Sequence, residues 1–216
     1  MKGVTFDNLH SYRDLKLLLQ PGKEIGSPEV KQKKVAVDGA DGFLDYTDFS
    51  GEPKYDGVTL KFPFATVVPK SELLTHYSFV KNALHGKKMK IVLDDDLNSF
   101  YVGRVFVRAF TDEKGIGHID IECDCEPYKY RHAKTVVIYA VDGTEAITLT
   151  NARKRAVPEV RIETDSTLNI RYQDNLIWDL GPGSYTLPEL ELKEGANLVT
   201  VTGTGRITFE WREGEL

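Results

Sequence analysis

The sequence predicts a mainly β protein with one α-helix, divided into two domains. Three observations carry that expectation. Helical spacing of apolar side chains is convincing only around residues 71–84. Other apolar residues alternate with polar ones, most strictly over residues 118–126. Beyond residue 131, short alternating runs recur at regular intervals between turn-forming residues, the rhythm of an all-β sandwich.

Residues 58–68, VTLKFPFATVV, read as a strand that Pro63 pushes toward an edge or a bulge. Pro69-Lys70-Ser71-Glu72 then starts the helix, with Ser71 as its cap. Leu73, Tyr77, Val80 and Leu84 make one apolar stripe that must cover neighbouring strands. Gly86 stands where a helix ends in a left-handed residue. Lys87, Lys88 and Lys90 suit the negative end of the helix dipole or the solvent face of the next strand. Met89, Ile91 and Leu93 alternate with Lys88, Lys90 and Val92, which is strand periodicity. Asp94-Asp95-Asp96-Leu97-Asn98-Ser99 is turn chemistry, because short side-chain acceptors bond their own backbone. A second strand follows with Tyr101, Gly103, Val105, Val107 and Ala109 on one face. In the next, Ile119, Ile121, Cys123 and Cys125 face a core while Asp120, Glu122 and Asp124 face out.

Arg131-His132-Ala133-Lys134 is a polar break, and no helical period follows it. The boundary is therefore placed near residue 131, giving domains 1–131 and 132–216. Strands are expected at 135–141, 145–150, 158–163, 167–172, 175–180, 185–192, 197–202 and 205–212. Asp142-Gly143, Gly181-Pro182-Gly183 and Glu194-Gly195-Ala196-Asn197 are among the turns between them. In the last strand Ile207, Phe209 and Trp211 point inward and Arg206, Thr208, Glu210 and Arg212 outward.

Composition narrows the function. The 216 residues carry a net charge of −5, and neither half is basic: residues 1–130 hold 18 Lys and Arg against 20 Asp and Glu. Stable binding to a phosphate backbone needs a concentrated cationic patch, which is missing. No run approaches the roughly 18 apolar residues that span a bilayer. The first residues, Met1 to Asp7, lack an apolar signal core, so secretion by that route is not expected. Cys123 and Cys125 share a strand face, which disfavours a mutual disulfide.

Catalytic and metal patterns do not emerge, and no cofactor is expected. Asp94-Asp95-Asp96 invites a calcium reading, but no glycine or closing glutamate follows at EF-hand spacing, so a solvated turn is expected. His10, His76, His85, His118 and His132 fall in no metal or nucleophile pattern. Gly115-Ile116-Gly117 leads into a strand and offers no helix N-terminus to a phosphate. Exposed aromatics stack on sugars, which makes Trp178 the candidate carbohydrate contact, although it shares a face with Leu176 and Leu180. Trp211 alternates with Ile207 and Phe209 and reads as core.

Four segments resemble the distal tail (Dit) proteins of long-tailed, siphovirus-type bacteriophages and related prophages. They are Asn82–Val105; Gly39-Ala40-Asp41-Gly42-Phe43-Leu44-Asp45, which is similar to the family's glycine-rich loop and the strand after it; Glu126-Pro127-Tyr128-Lys129-Tyr130, similar to the end of its N-terminal domain; and Val157-Pro158-Glu159-Val160, similar to the start of a strand in its C-terminal domain. After Tyr55 the family often has an Asn-Arg pair where this chain reads Asp56-Gly57-Val58. The resemblance implies an N-terminal, ring-forming β-barrel-like domain with one helix and a C-terminal galectin-like β-sandwich. It implies a non-enzymatic virion protein of the tail tip, made in the bacterial host cytoplasm. Six copies would form a ring joining the tail tube protein to the tail-tip lysin or fibre protein and to receptor-binding or baseplate proteins. DNA would pass through that ring without stable binding, and Asp120, Glu122 and Asp124 become candidate channel-lining acids. The alternative function is a carbohydrate-binding, lectin-like module for adhesion to the host surface.

Overall fold

The strict alternation over residues 118–125 becomes an interior strand of a curled antiparallel sheet. The computed structural model describes residues 2–39, 41–49, 51–173 and 176–216. Residues Met1–Lys129 form one compact unit and Tyr130–Glu215 a second. Ala40 and Asn175, which fall in segments read above, lie outside the described residues.

The first unit contains β1 (Val4–Phe6), β2 (Leu9–His10), β3 (Leu17–Leu19), β4 (Glu24–Ile25), β5 (Lys34–Ala36), β6 (Phe43–Asp45) and β7 (Val58–Thr66). Then follow α1 (Leu73–Leu84), β8 (Lys88–Leu93), β9 (Asp96–Glu113) and β10 (Ile116–Cys125). The sheet runs β2-β1-β8-β9-β10-β7-β3, with β4 also paired to β7. It is barrel-like: its concave face holds Phe6, Leu60, Phe62, Phe64, Ile91, Val105, Ile119, Ile121 and Cys123, together with Val80 and Leu84 of α1. Each such side chain contributes about 1.5–3 kcal/mol by leaving water.

Local chemistry explains most boundaries. Pro63 sits inside the sheet, opposite Asp120 of β10, and not at its rim. On its other side β7 is served by β3 at Phe64–Thr66 and by β4 at Leu60–Lys61, so the proline falls in the gap between them. Gly86 has φ 78° and its N–H donates to Val105, closing the helix as expected. Ser71 does not cap α1. It lies in a single 3-10 turn over Lys70–Glu72, which leads into the helix without a side-chain cap. The buried helical stripe is Leu73, His76, Val80 and Leu84, with Tyr77 half-buried. His76 takes a core position because its Nε2 donates to the Leu15 carbonyl at 2.8 Å. Ala109 is exposed, not inward. Ile119 pairs with Phe110 but Ile121 with Val107, so β9 carries one extra residue. That bulge reverses the alternation and brings Phe110 against the core. The acidic turn is tighter than its composition suggests: only Asp94 and Asp95 are turn residues, and β9 starts at Asp96.

β11 (Lys129–Arg131) leads out of the first unit. The second contains β12 (Thr135–Asn151), β13 (Glu159–Glu163), β14 (Leu168–Tyr172), β15 (Leu176–Leu180), β16 (Gly183–Thr186), β17 (Gly195–Trp211) and β18 (Gly214–Glu215). Two pairs of expected strands are each one long strand. β12 and β17 pair along 17 residues, with Gly143 opposite Gly203, so Asp142-Gly143 is a bend in a ribbon instead of a turn. One half of β17 also pairs with β14 and the other half with β13, which folds the sheet into a sandwich. The connection from β13 to β14 crosses the bend so tightly that a Cβ on Gly203 would lie 3.0 Å from the Thr167 carbonyl. Val160, Ile162, Leu168, Ile170, Val199, Val201, Ile207, Phe209 and Trp211 fill the interior. The expected strand at 185–192 stops at Thr186, because Pro188 cannot continue the ladder. The segment turns instead, with the Leu190 N–H on the Leu187 carbonyl, and buries Leu190 and Leu192. Buried Asn197 stitches this turn by accepting from the Lys193 N–H and donating to the Lys193 and Leu149 carbonyls.

Candidate functional site

The acidic turn is a fastener. The Asp94 carboxylate accepts from the Gly3 N–H at 2.8 Å and lies 3.1 Å from His10 Nε2. His10 Nδ1 accepts from the Tyr12 and Arg13 N–H groups, which leaves Nε2 to donate to Asp94. Asp95 pairs with Lys2 and Lys23, and those two ammonium groups hold its carboxyl down at about 2. Asp96 meets Lys129 at 3.1 Å, which also lowers its pKa. The three carboxylates thus point to three different parts of the unit and do not converge on one point. Among the described residues, no group of three His, Cys, Asp or Glu side chains comes together to hold a metal ion.

Cys123 and Cys125 are buried free thiols. Burial raises both thiol pKa values, that of Cys125 to about 12, which leaves them poor nucleophiles. Trp211 is core, as its alternation implies. Trp178 is half-buried and packs against the sandwich interior.

The outward face of β10 does carry Asp120, Glu122 and Asp124, with Asp120 and Asp124 exposed and Glu122 half-buried. They do not form an isolated acidic strip. Glu122 receives Arg108 at 2.9 Å and stands opposite Lys61, which pairs with Glu24 at 3.0 Å. These partners raise the pKa of Arg108 and of Lys61. Arg108 also lies over the Phe106 ring at 4.7 Å. The result is a shallow, charge-alternating surface over β4, β7, β9 and β10.

A different kind of surface lies in the excursion between β4 and β7. Backbone bonds from Lys31 to Lys54 and from Asp56 to Glu29 bring its two ends together, and Tyr55 packs edge-on to Tyr128. Beyond that base, β5 and β6 pair as a short hairpin, with Val35 opposite Leu44 and Ala36 opposite Phe43. Among the described residues, every position of both strands is exposed. Phe43 is 56% exposed, Leu44 50% and Phe49 86%, while Val35, Val37 and Tyr46 are also in solvent. Val35 and Leu44 share one face, while Phe43 shares the other with Ala36, Lys34 and Asp45 and has the Lys34 ammonium 4.5 Å from its ring centre, so each face exposes a large apolar side chain. A two-stranded hairpin is marginal in water unless something covers it.

No protein-family model matches the chain, and no curated protein does. Among solved structures it matches the crystal structure of SPP1 Dit (gp 19.1), described as a paradigm of the hub adsorption apparatus in phages infecting Gram-positive bacteria. The superposition covers 100% of both chains with a TM-score of 0.72. This chain has the Dit fold. Sequence identity is 15%, so the likeness to Dit is one of architecture. The Dit resemblance read from four short segments is therefore borne out across the whole chain at the level of fold. Within those segments Phe43–Asp45, the strand after the glycine-rich loop, is the second strand of the exposed hairpin. Its exposure leaves a trace in the sequence: Val35, Val37, Phe43, Leu44 and Phe49 sit scattered among Asp, Gly and Lys, without the sustained alternation of a half-buried strand.

Proposed function

We propose that this chain is a non-enzymatic hub protein of a phage tail, six copies of which close into a ring at the tail tip. Its first unit, bounded near residue 131, forms the ring. Its second, a galectin-like sandwich, presents docking surface to receptor-binding or baseplate proteins. One side of the ring meets the tail tube protein and the other the tail-tip lysin or fibre protein. The protein is made in the host cytoplasm and functions in the virion. The observation that carries this reading is the full-length match to a hub protein of an adsorption apparatus.

The exposed hairpin supplies the physical means. A cyclic ring needs heterologous contacts, in which one patch of each copy meets a different patch on the next. Burying Phe43, Leu44 and Phe49 on a neighbour adds about 1.5–3 kcal/mol for each large side chain fully covered. Such contacts help each interface reach the ~1,000 Å² that a lasting assembly needs. The face with Asp120, Glu122 and Asp124 is assigned to the channel wall. There its interleaved ion pairs give passing DNA neither a basic patch to bind nor a strong barrier.

Electron microscopy of the purified chain, alone and with tail tubes as template, tests the ring. Closed rings with a central hole are expected. The triple variant Phe43→Ser, Leu44→Ser, Phe49→Ser should keep its circular dichroism spectrum and lose the rings. Rings that persist in the triple variant would remove the hairpin from the mechanism; no ring under either condition would remove the hub reading. Replacing Asp120, Glu122 and Asp124 with lysine should slow genome release from otherwise normal virions, and unchanged release would take those acids off the channel wall.

A further inference from the structure

Edge strands in this molecule are short, with one exception. β2, β3, β15 and β16 end their sheet paths with two to five residues each. Short edges are a common protection against pairing with another chain, as are lysines and prolines placed on them. β12 has 17 residues and, among the described residues, pairs with β17 alone. It contains no Lys, Arg or Pro, and its only charges are Asp142 and Glu145. Its solvent-facing side presents Val136, Ile138, Ala140, Ala146 and three threonines, with Ile138 60% exposed. Along that edge alternate backbone N–H and C=O groups point away from β17, and no second strand meets them among the described residues.

We infer that β12 pairs antiparallel with β12 of a second copy of this chain, about a two-fold axis through Gly143. The inference goes beyond the ring and does not rest on it. Gly143 is the midpoint of the strand and the place where the ribbon bends, with φ 88°. A two-fold axis there matches bend to bend and lets the full length pair. The register sets Val136 opposite Thr150 of the second copy, Ile138 opposite Thr148, Ala140 opposite Ala146 and Asp142 opposite Thr144. Every pair joins residues of the same parity, so outward backbone groups meet outward backbone groups and each side chain meets one on its own face. No two charges stand directly opposite. The two Asp142 side chains are diagonal, roughly 7–8 Å apart on the solvated face. An isologous contact of this kind closes on itself, so it covers the edge without starting an open-ended fibre.

Light scattering coupled to size exclusion separates this contact from the ring, because each doubles or multiplies the mass independently. Both contacts together give a particle of two rings, and β12 pairing alone gives a dimer. A single ring overturns the β12 contact and keeps the hub reading; single copies overturn the β12 contact and leave the ring to be tested on the tail-tube template. Two charge variants test the register. Ile138→Lys with Thr148→Lys places lysines opposite each other twice and should halve the particle mass. Ile138→Lys with Thr148→Glu places lysine opposite glutamate and should restore it. Unaltered mass in the double-lysine variant overturns the contact, and failure of the lysine–glutamate variant to recover, while folded by circular dichroism, overturns the register. Single copies whose β12 amides become protected from hydrogen exchange only in assembled tails would assign the edge to a strand of another protein and overturn the pairing.

Discussion

Two hairpins in the first unit have aspartates at their turns and opposite fates. β8 and β9 lie over the core: Met89, Ile91 and Leu93 point into it, and Asp94, Asp95 and Asp96 each bind a different part of the unit. β5 and β6 hold Val35, Phe43 and Leu44 exposed, and their flanking Asp45 accepts from neighbouring Thr47. Turn chemistry does not separate the two. What separates them is whether the apolar faces rest on the chain's own core, and a face that does not is available to another molecule.

The sharpest way to break the comparison is to cut back one side chain in each hairpin. Ile91 is fully buried between Phe6 of β1 and Tyr101 of β9. Ile91→Ala should cost about 2–5 kcal/mol in urea unfolding, through lost transfer energy and the cavity left behind. Phe49→Ala, despite removing a larger group, should cost at most about 1 kcal/mol, because that ring is largely in solvent and has an edge-on contact with the exposed Tyr46 ring to lose. Comparable losses at the two sites would mean that the β5–β6 hairpin is packed against its own chain after all. A smaller effect is expected at Gly103 of β9. A Cβ there would fall 2.5 Å from Cys125 Sγ and 2.6 Å from the Asp124 carbonyl. Gly103→Ala should therefore cost about 1–3 kcal/mol by overpacking, measured in the same way.

The fold was legible where one physical rule acted alone. Period-two alternation over Ile119–Cys125 and Met89–Leu93 survived intact, because a half-buried strand tolerates nothing else. Gly86 was legible for its backbone freedom. Failures came where a longer-range geometry overrode a local signal. Asp142-Gly143 is a strong turn signal, yet a 17-residue partner strand turns it into a bend. Ala109 followed the alternation until one inserted residue reversed it. His76 was passed over as polar, while a carbonyl at Leu15 made it a core residue. The candidate surfaces were legible only in part. The outward acids were visible in the sequence but their cationic partners were not, since Lys61 and Arg108 come from other strands. Of the hairpin, the resemblance marks the glycine-rich loop and the strand after it, while β5 stays hidden because a three-residue strand leaves almost no periodicity.

The finest expected effect compares how each hairpin holds its aspartate. Asp95 has a folded pKa of about 2 because Lys2 and Lys23 surround it. In the unfolded chain an aspartate titrates near ~3.9. The sign follows: the stabilisation is fully present above the unfolded value and is lost as pH falls from ~3.9 through about 2. Asp95→Asn should flatten the fall of stability across that acid window, as should Lys2→Met with Lys23→Met, read from urea midpoints at successive pH values. Asp45 is also lowered, chiefly by the Thr47 hydroxyl and N–H, with Lys34 a minor contributor. Lysine pairing is screened by salt, whereas bonds to a hydroxyl and an amide are not. Raising ionic strength to about 1 M, where the Debye length is roughly 3 Å, should therefore weaken the Asp95 contribution more than that of Asp45. If salt leaves the acid window unchanged in the parent chain, the lysines do not hold Asp95, and the anchored hairpin owes its fixity to the apolar face alone.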